Sequence, residues 1–127
     1  MYFQYKNYHD RHGIKLIRQI IKPGFTVLDI GSNIGYHAML FAKLVRQNGK
    51  VYCFEPDSDN FKKLGRVTKN KENILLNNLA VAEATKKLNL YKSHRINVDH
   101  RTYPVQRFET SYQVDAVSVD AFVNGAF

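Results

Sequence analysis

The sequence predicts an α/β fold, a mostly parallel sheet with flanking helices. Three observations carry that reading. Short apolar runs alternate with stretches of helical spacing, in the order helix, strand, helix, strand, helix, strand. Strands separated by helices pair in parallel through right-handed crossovers. The first apolar run stops abruptly at Gly31 and passes straight into a helical stretch, as strands do in open sheets that place a ligand beyond their carboxyl ends.

Each element has a local cause. Between His12 and Ile21, the isoleucines at 14, 17, 20 and 21 recur at three- and four-residue steps, the spacing of an amphipathic helix. Pro23-Gly24 ends it. Phe25 to Ile30 is a short, mostly apolar run that stops at Gly31, which suits a buried parallel strand. Tyr36 to Gln47 returns to helical spacing through Leu40, Phe41, Leu44 and Val45, and Asn48-Gly49 closes it. Lys50 to Phe54 predicts a second buried strand. Asp57 or Ser58 is placed to cap a third helix whose Phe61, Leu64 and Val67 face inward. Ile74 to Ala82 predicts a third strand. Beyond it the period changes. Leu88, Leu90 and Tyr91 predict a short antiparallel strand, Ser93 to Glu109 a loop, and Val114 to Phe122 a final strand with Val117 and Val119 alternating.

Composition bounds the function. A chain of 127 residues suits one domain with its own core. No apolar stretch approaches the roughly 18 residues of a membrane span. Met1 to Asp10 lacks the apolar run of a signal peptide. The single cysteine, Cys53, rules out an intrachain disulfide framework and sits in an apolar run as a small buried hydrophobe. These features predict a cytoplasmic protein. A formal net charge of +8 permits contact with nucleic acid without demanding it, since the cations run from Lys6 to Arg107. The densest stretch, Lys62, Lys63, Arg66, Lys69 and Lys71, follows helical spacing and reads as a solvated face. His9, Asp10 and His12 lack the further ligand that zinc needs, so no metal site is expected.

The chemistry lies in Val27-Leu-Asp-Ile-Gly31-Ser-Asn-Ile-Gly35-Tyr-His37. Gly31 permits a tight turn at the strand end, and Gly35 permits close approach to a ligand. Helix N-terminal amides suit a carboxylate or another anion. Glu55 closes the second strand, 24 positions after Gly31, where an acid accepts hydrogen bonds from ribose hydroxyls. The paired signals point to a nucleoside-containing cofactor. Asn33 stands where a dinucleotide loop has its second glycine, which counts against a pyrophosphate. Asp29 would also repel a pyrophosphate while attracting the ammonium of a methionine moiety.

These phrases, with Val51-Tyr-Cys-Phe-Glu55-Pro-Asp57, Asn77-Asn-Leu-Ala-Val-Ala82 and Val117-Ser-Val-Asp120, resemble the class I S-adenosylmethionine-dependent methyltransferases, and more narrowly the FkbM-type enzymes. The resemblance runs from about Pro23 to the C-terminus. It implies a Rossmann-like domain and O-methyl transfer to hydroxyls of sugars or other small molecules, with S-adenosylmethionine as cofactor. By the same resemblance, Asp29 and Gly31 would line the methionine and ribose, Ser32 and Asn33 would add loop contacts, and Gly35 would let the helix approach. Tyr36, read from its place at the helix start, would either pack over the cofactor or only cover that start. Glu55 would hold the ribose, Pro56 and Asp57 would flank the adenine, and Ala82 and Glu83 would lie near its ring.

The family continues with a further helix and strand that this sequence lacks. The expectation is therefore one partial cofactor-binding domain over residues 1–127, truncated after the third strand plus a small antiparallel extension. The first strand would then be a sheet edge, a site for self-association. The catalytic base has no candidate. Three other readings compete: an RNA or protein methyltransferase, suggested by charge; an interaction module retaining the fold; and a nucleotide-dependent oxidoreductase, disfavoured by Asn33.

Overall fold

The computed structural model describes residues 11–92, 100–101 and 110–126. Helix α1 (Arg11–Ile20) precedes strand β1 (Thr26–Ile30), helix α2 (Tyr36–Val45), strand β2 (Lys50–Phe54), helix α3 (Ser58–Thr68) and strand β3 (Ile74–Asn77). These three strands form a parallel sheet in the order β1-β2-β3, with Asp29 opposite Cys53 and Phe54 opposite Asn77. The expected α/β architecture is what the chain adopts. Strand β2 lies at the centre and is buried from Val51 onward. Its alternate residues serve two layers. Val51 and Cys53 join Ala38, Ala42, Val45 and Leu64 in one apolar cluster. Tyr52 and Phe54 face the ring of Phe122, with centroids 5.4 and 4.8 Å away in edge-to-face geometry.

A second sheet holds β4 (Ala80–Val81), β5 (Lys86–Lys92), β6 (His100–Arg101) and β7 (Thr110–Val117), in the order β4-β7-β5-β6. β5 runs antiparallel to β7, whereas β4 is parallel to it. Lys87 and Asp115 face each other in that register and pair at 3.0 Å. Leu90, Val114, Ala116 and Ala80 form this sheet's own buried cluster.

Three expectations need correction. The single strand expected over Ile74 to Ala82 is two strands in two sheets. At the break, Asn77 and Asn78 turn their amides back onto the chain after β2: Asn77 Nδ2 donates to the Cys53 carbonyl (3.1 Å), and Asn78 Nδ2 to those of Glu55 (2.8 Å) and Pro56 (3.2 Å). The strand expected to end at Phe122 stops at Val117, and helix α4 (Val119–Ala126) follows. Ser118 starts it by accepting the Ala121 N–H at 3.1 Å, so the Val117/Val119 alternation reflected a strand end beside a capped helix. Of the segment read as a loop, His100–Arg101 form β6, and the remainder, with His94, lies outside the described residues. So do His9 and Asp10. No described helix is long and apolar enough to cross a membrane.

Candidate cofactor-binding site

The carboxyl ends of β1 and β2 meet around one carboxylate. After β1 the chain turns at Gly31 (φ 75°), Asn33 (φ 51°) and Gly35 (φ 97°), all in the left-handed region. The Phe54 carbonyl, the last of β2, accepts from the N–H groups of both Gly31 (2.9 Å) and Ser32 (3.0 Å). Ser32 Oγ donates to the Asp29 carbonyl at 2.8 Å, folding the loop back over its own strand. Glu55 then clasps the loop from the other side. Its Oε2 accepts the Asn33 N–H at 2.8 Å, and its Oε1 accepts the Asp57 N–H at 2.8 Å. Each carboxylate oxygen keeps a second lone pair for another donor.

Asp29, in β1, and Glu55, the residue after β2, are both buried, at 8% and 5% exposure. Burial raises the Glu55 pKa above its ordinary value, and the N–H donors of Asp57 and Asn33 oppose that rise. The neighbouring Asp57 and Asp29 charges raise it further. Two buried acids side by side favour a cation in the space above them. The Cys53 thiol, buried below, is pushed up to about 12, first by burial, which leaves it inert.

Two features of the loop fit a bound nucleoside. Asn33 Oδ1 is buried and accepts no hydrogen bond from any described residue, so it awaits a donor. No atom lies within 4 Å of the position a Gly31 Cβ would take, which leaves room beside the turn. Gly35 is different. A Cβ there would stand 3.0 Å from Leu64 Cδ1 and 3.5 Å from Val67 Cγ1, so its missing side chain serves the packing of α3 against the loop. Gly35 also leads into α2 without a side-chain cap, and Tyr36 begins that helix with its ring 5.0 Å from that of His37.

The structure brings Asp29, Gly31, Ser32, Asn33, Gly35, Tyr36 and Glu55 to one end of the first sheet, with Pro56 following at half burial. Asp57 is 1% exposed and heavily engaged. Its Oδ1 accepts the Asn60 N–H at 2.8 Å to cap α3, and its Oδ2 accepts the Tyr112 hydroxyl and lies 3.4 Å from Lys92 Nζ. Ala82 and Glu83 lie in the connection between β4 and β5 of the second sheet. Ala82 N–H donates to the Val117 carbonyl at 3.0 Å, and the exposed Glu83 pairs with Lys86. Sequence reasoning missed the structural parts of Asn78, Lys92 and Tyr112. Two consecutive asparagines at a strand end were a signal for the first. Tyr112 lies 55 positions from Asp57 and gave none.

The model of the protein-L-isoaspartate(D-aspartate) O-methyltransferase family matches residues 11–85, more than half of the chain. The chain belongs to this family. It is thereby a class I methyltransferase chain, and the cofactor of that class is S-adenosylmethionine. A protein-L-isoaspartate O-methyltransferase from Methanococcoides burtonii is 41% identical over 46 residues, which are 35% of this chain and 23% of that protein. The match thus spans about a quarter of the relative's length. The structure of a candidate rRNA-methylase from Clostridium thermocellum is similar with a TM-score of 0.53 and 22% identity, covering 54% of this chain and 39% of the other, a likeness of fold. A methyltransferase FkbM from Methylobacillus flagellatus aligns at TM-score 0.49 and 15% identity, over 90% of this chain and 31% of its own. The family model points to another branch than the FkbM-type resemblance.

Proposed function

We propose that this chain is the cofactor-binding domain of an O-methyltransferase and holds S-adenosylmethionine at the ends of β1 and β2. The observation that carries the proposal is the buried Glu55 carboxylate, which ties the Gly31–Tyr36 loop to the start of α3 and keeps acceptor capacity. In this reading Glu55 and the Asn33 amide oxygen receive the ribose hydroxyls. Asp29 supplies negative charge for the methionine ammonium, and Gly31, Ser32 and Tyr36 shape the wall. Pro56 borders the adenine, while Asp57 acts by fixing the first turn of α3. Ala82 and Glu83, carried by the second sheet, enter the proposal only as the far rim.

When bound, the cofactor supplies an electrophilic methyl group on a sulfonium. The residues here orient it and exclude water, and alignment with an acceptor oxygen is the larger part of such a transfer. Family membership supports a carboxylate acceptor, the isoaspartyl residue of a protein for which the family is named. A carboxylate is already an anion at neutral pH and needs no base. A second reading, transfer to a small-molecule hydroxyl, rests on the Glu55-Pro56-Asp57 phrase and the antiparallel β5–β7 pair that follows. Association of two copies along the β1 edge and a cytoplasmic setting complete the proposal.

Calorimetric titration with S-adenosylmethionine and S-adenosylhomocysteine tests the core of it. Saturable binding by the wild type, weakened at least tenfold in Asn33→Ala with unchanged circular dichroism, supports the site. A folded wild-type sample that takes up neither compound overturns it. Methyl transfer to an isoaspartyl peptide, against none to the aspartyl peptide, then separates the two acceptors.

A further inference from the structure

We propose that the end of the first sheet opposite the cofactor site binds the backbone of a single-stranded nucleic acid. An open groove of about 1180 Å³ lies there, between the C-terminus of α2, the start of β2 and the turn before β3. Lys43, Arg46, Lys50 and Lys71 line it, all exposed, against one acid, Glu72. None of the four forms an ion pair with a described residue. What marks this end of the molecule is that four cations and a single acid line one concavity.

The C-terminus of a helix ordinarily repels anions through its bare carbonyls. Here local donors occupy them. Asn73 Nδ2 donates to the carbonyls of Ala42 (3.0 Å) and Arg46 (2.9 Å), Gly24 N–H to that of Val45 (2.8 Å), and Gly49 N–H to Arg46 (3.2 Å). The groove therefore offers positive charge from side chains with little opposing field. Gln47 and Asn70 add exposed amides, which hydrogen-bond phosphate or base edges. Phe25, 46% exposed, follows the lining residue Gly24, and its carbonyl accepts the Lys50 N–H at 3.1 Å. A basic groove with an exposed ring alongside is how single strands are held, phosphates on cations and a base stacked on the aromatic. A flat bilayer would touch only the rim, whereas a strand reaches the cations inside. The groove lies the length of β1 from Gly31, about 15 Å at roughly 3.3 Å per residue. Occupancy here is thus separate from the cofactor site.

The test is fluorescence anisotropy of the whole chain with labelled oligouridylate and oligodeoxythymidylate of about twelve nucleotides, a length matched to single-strand sites. At least one probe is expected to bind, with a log–log salt slope near −2.8 if four phosphates are neutralised at about −0.7 each. The charge reversals Lys50→Glu with Lys71→Glu should weaken binding at least tenfold and flatten the slope. Lys62→Glu with Arg66→Glu, on the exposed side of α3, should change it less than twofold. Should the reversals lower the melting temperature, the neutral pair Lys43→Gln and Lys71→Gln reports the same loss from exposed positions. Failure of both probes to bind at low salt overturns the proposal. So does equal loss in the α3 variant, or binding confined to phosphatidylserine vesicles.

Discussion

At the scale of single residues, the site rests on groups used for structure and available for ligand at once. Glu55 is the clearest. Its carboxylate holds two backbone N–H groups, yet burial raises its pKa, so protonation begins at a higher pH than for an exposed glutamate. The sign follows directly. A raised carboxyl contributes stability below its unfolded pKa that is lost as pH rises through the folded value, so acid relieves the fold of a desolvated charge. Cofactor affinity moves the other way, because the protonated group loses charge and acceptor capacity. S-adenosylmethionine binding should therefore weaken as pH falls, starting above the ordinary glutamate range. Calorimetry across that range checks it, and an affinity flat down to the unperturbed value would count against the assignment. Gly35 makes a second test. An added Cβ meets Leu64 Cδ1 at 3.0 Å with φ at 97°, so Gly35→Ala should cost about 1–3 kcal/mol in urea unfolding. The same substitution at Gly31 adds no contact within 4 Å and carries only the backbone strain of φ 75°.

At the scale of elements, the helices and strands that were legible are those whose causes are local. Asp29 to Gly35 could be read because a buried strand, two glycines and a helix follow within a dozen positions. The capping of α3 by Asp57 could be read for the same reason, since the acceptor and the Asn60 N–H are three positions apart. The break between β3 and β4 could not. It depends on the amides of Asn77 and Asn78 reaching carbonyls more than 20 positions back, and although the two asparagines interrupt the apolar run, nothing local says that the chain changes sheet there. Helix α4 was misread because Val117 and Val119 mimic strand alternation over too short a window, while Ser118 carried the decisive signal. Ser118→Ala should therefore cost about 0.5–2 kcal/mol, as loss of an N-cap does. It should also loosen Phe122 from Tyr52 and Phe54, seen as weaker near-ultraviolet dichroism with the strand content retained.

At the scale of the whole molecule, the two sheets are separate ladders with separate cores, and among the described residues a few contacts join them. Asp57, at the head of α3, accepts the Tyr112 hydroxyl from β7 and lies beside Lys92 of β5, which also pairs with Asp59 at 2.7 Å. Burial and then the Asp57 bond raise the Tyr112 pKa, so its neutral form is favoured in the fold and the stability it brings is lost only as pH rises above the ordinary tyrosine range. The opposite face is held by Phe122 against β2. Among the described residues the joint is a small polar cluster and one ring, which predicts two cooperative units. In native-state hydrogen exchange, Tyr112→Phe combined with Lys92→Met should speed the amides of β5 and β7 by at least tenfold. Those of β2, buried under α2 and α3, should keep wild-type protection. Uniform acceleration across both sheets would mean that the chain opens as one unit and that the Asp57 joint is not where the sheets part. With two units, the cofactor end would remain formed while the second sheet moves, and S-adenosylmethionine affinity in the same double variant should stay within about threefold of wild type, well under one pK unit's worth of free energy.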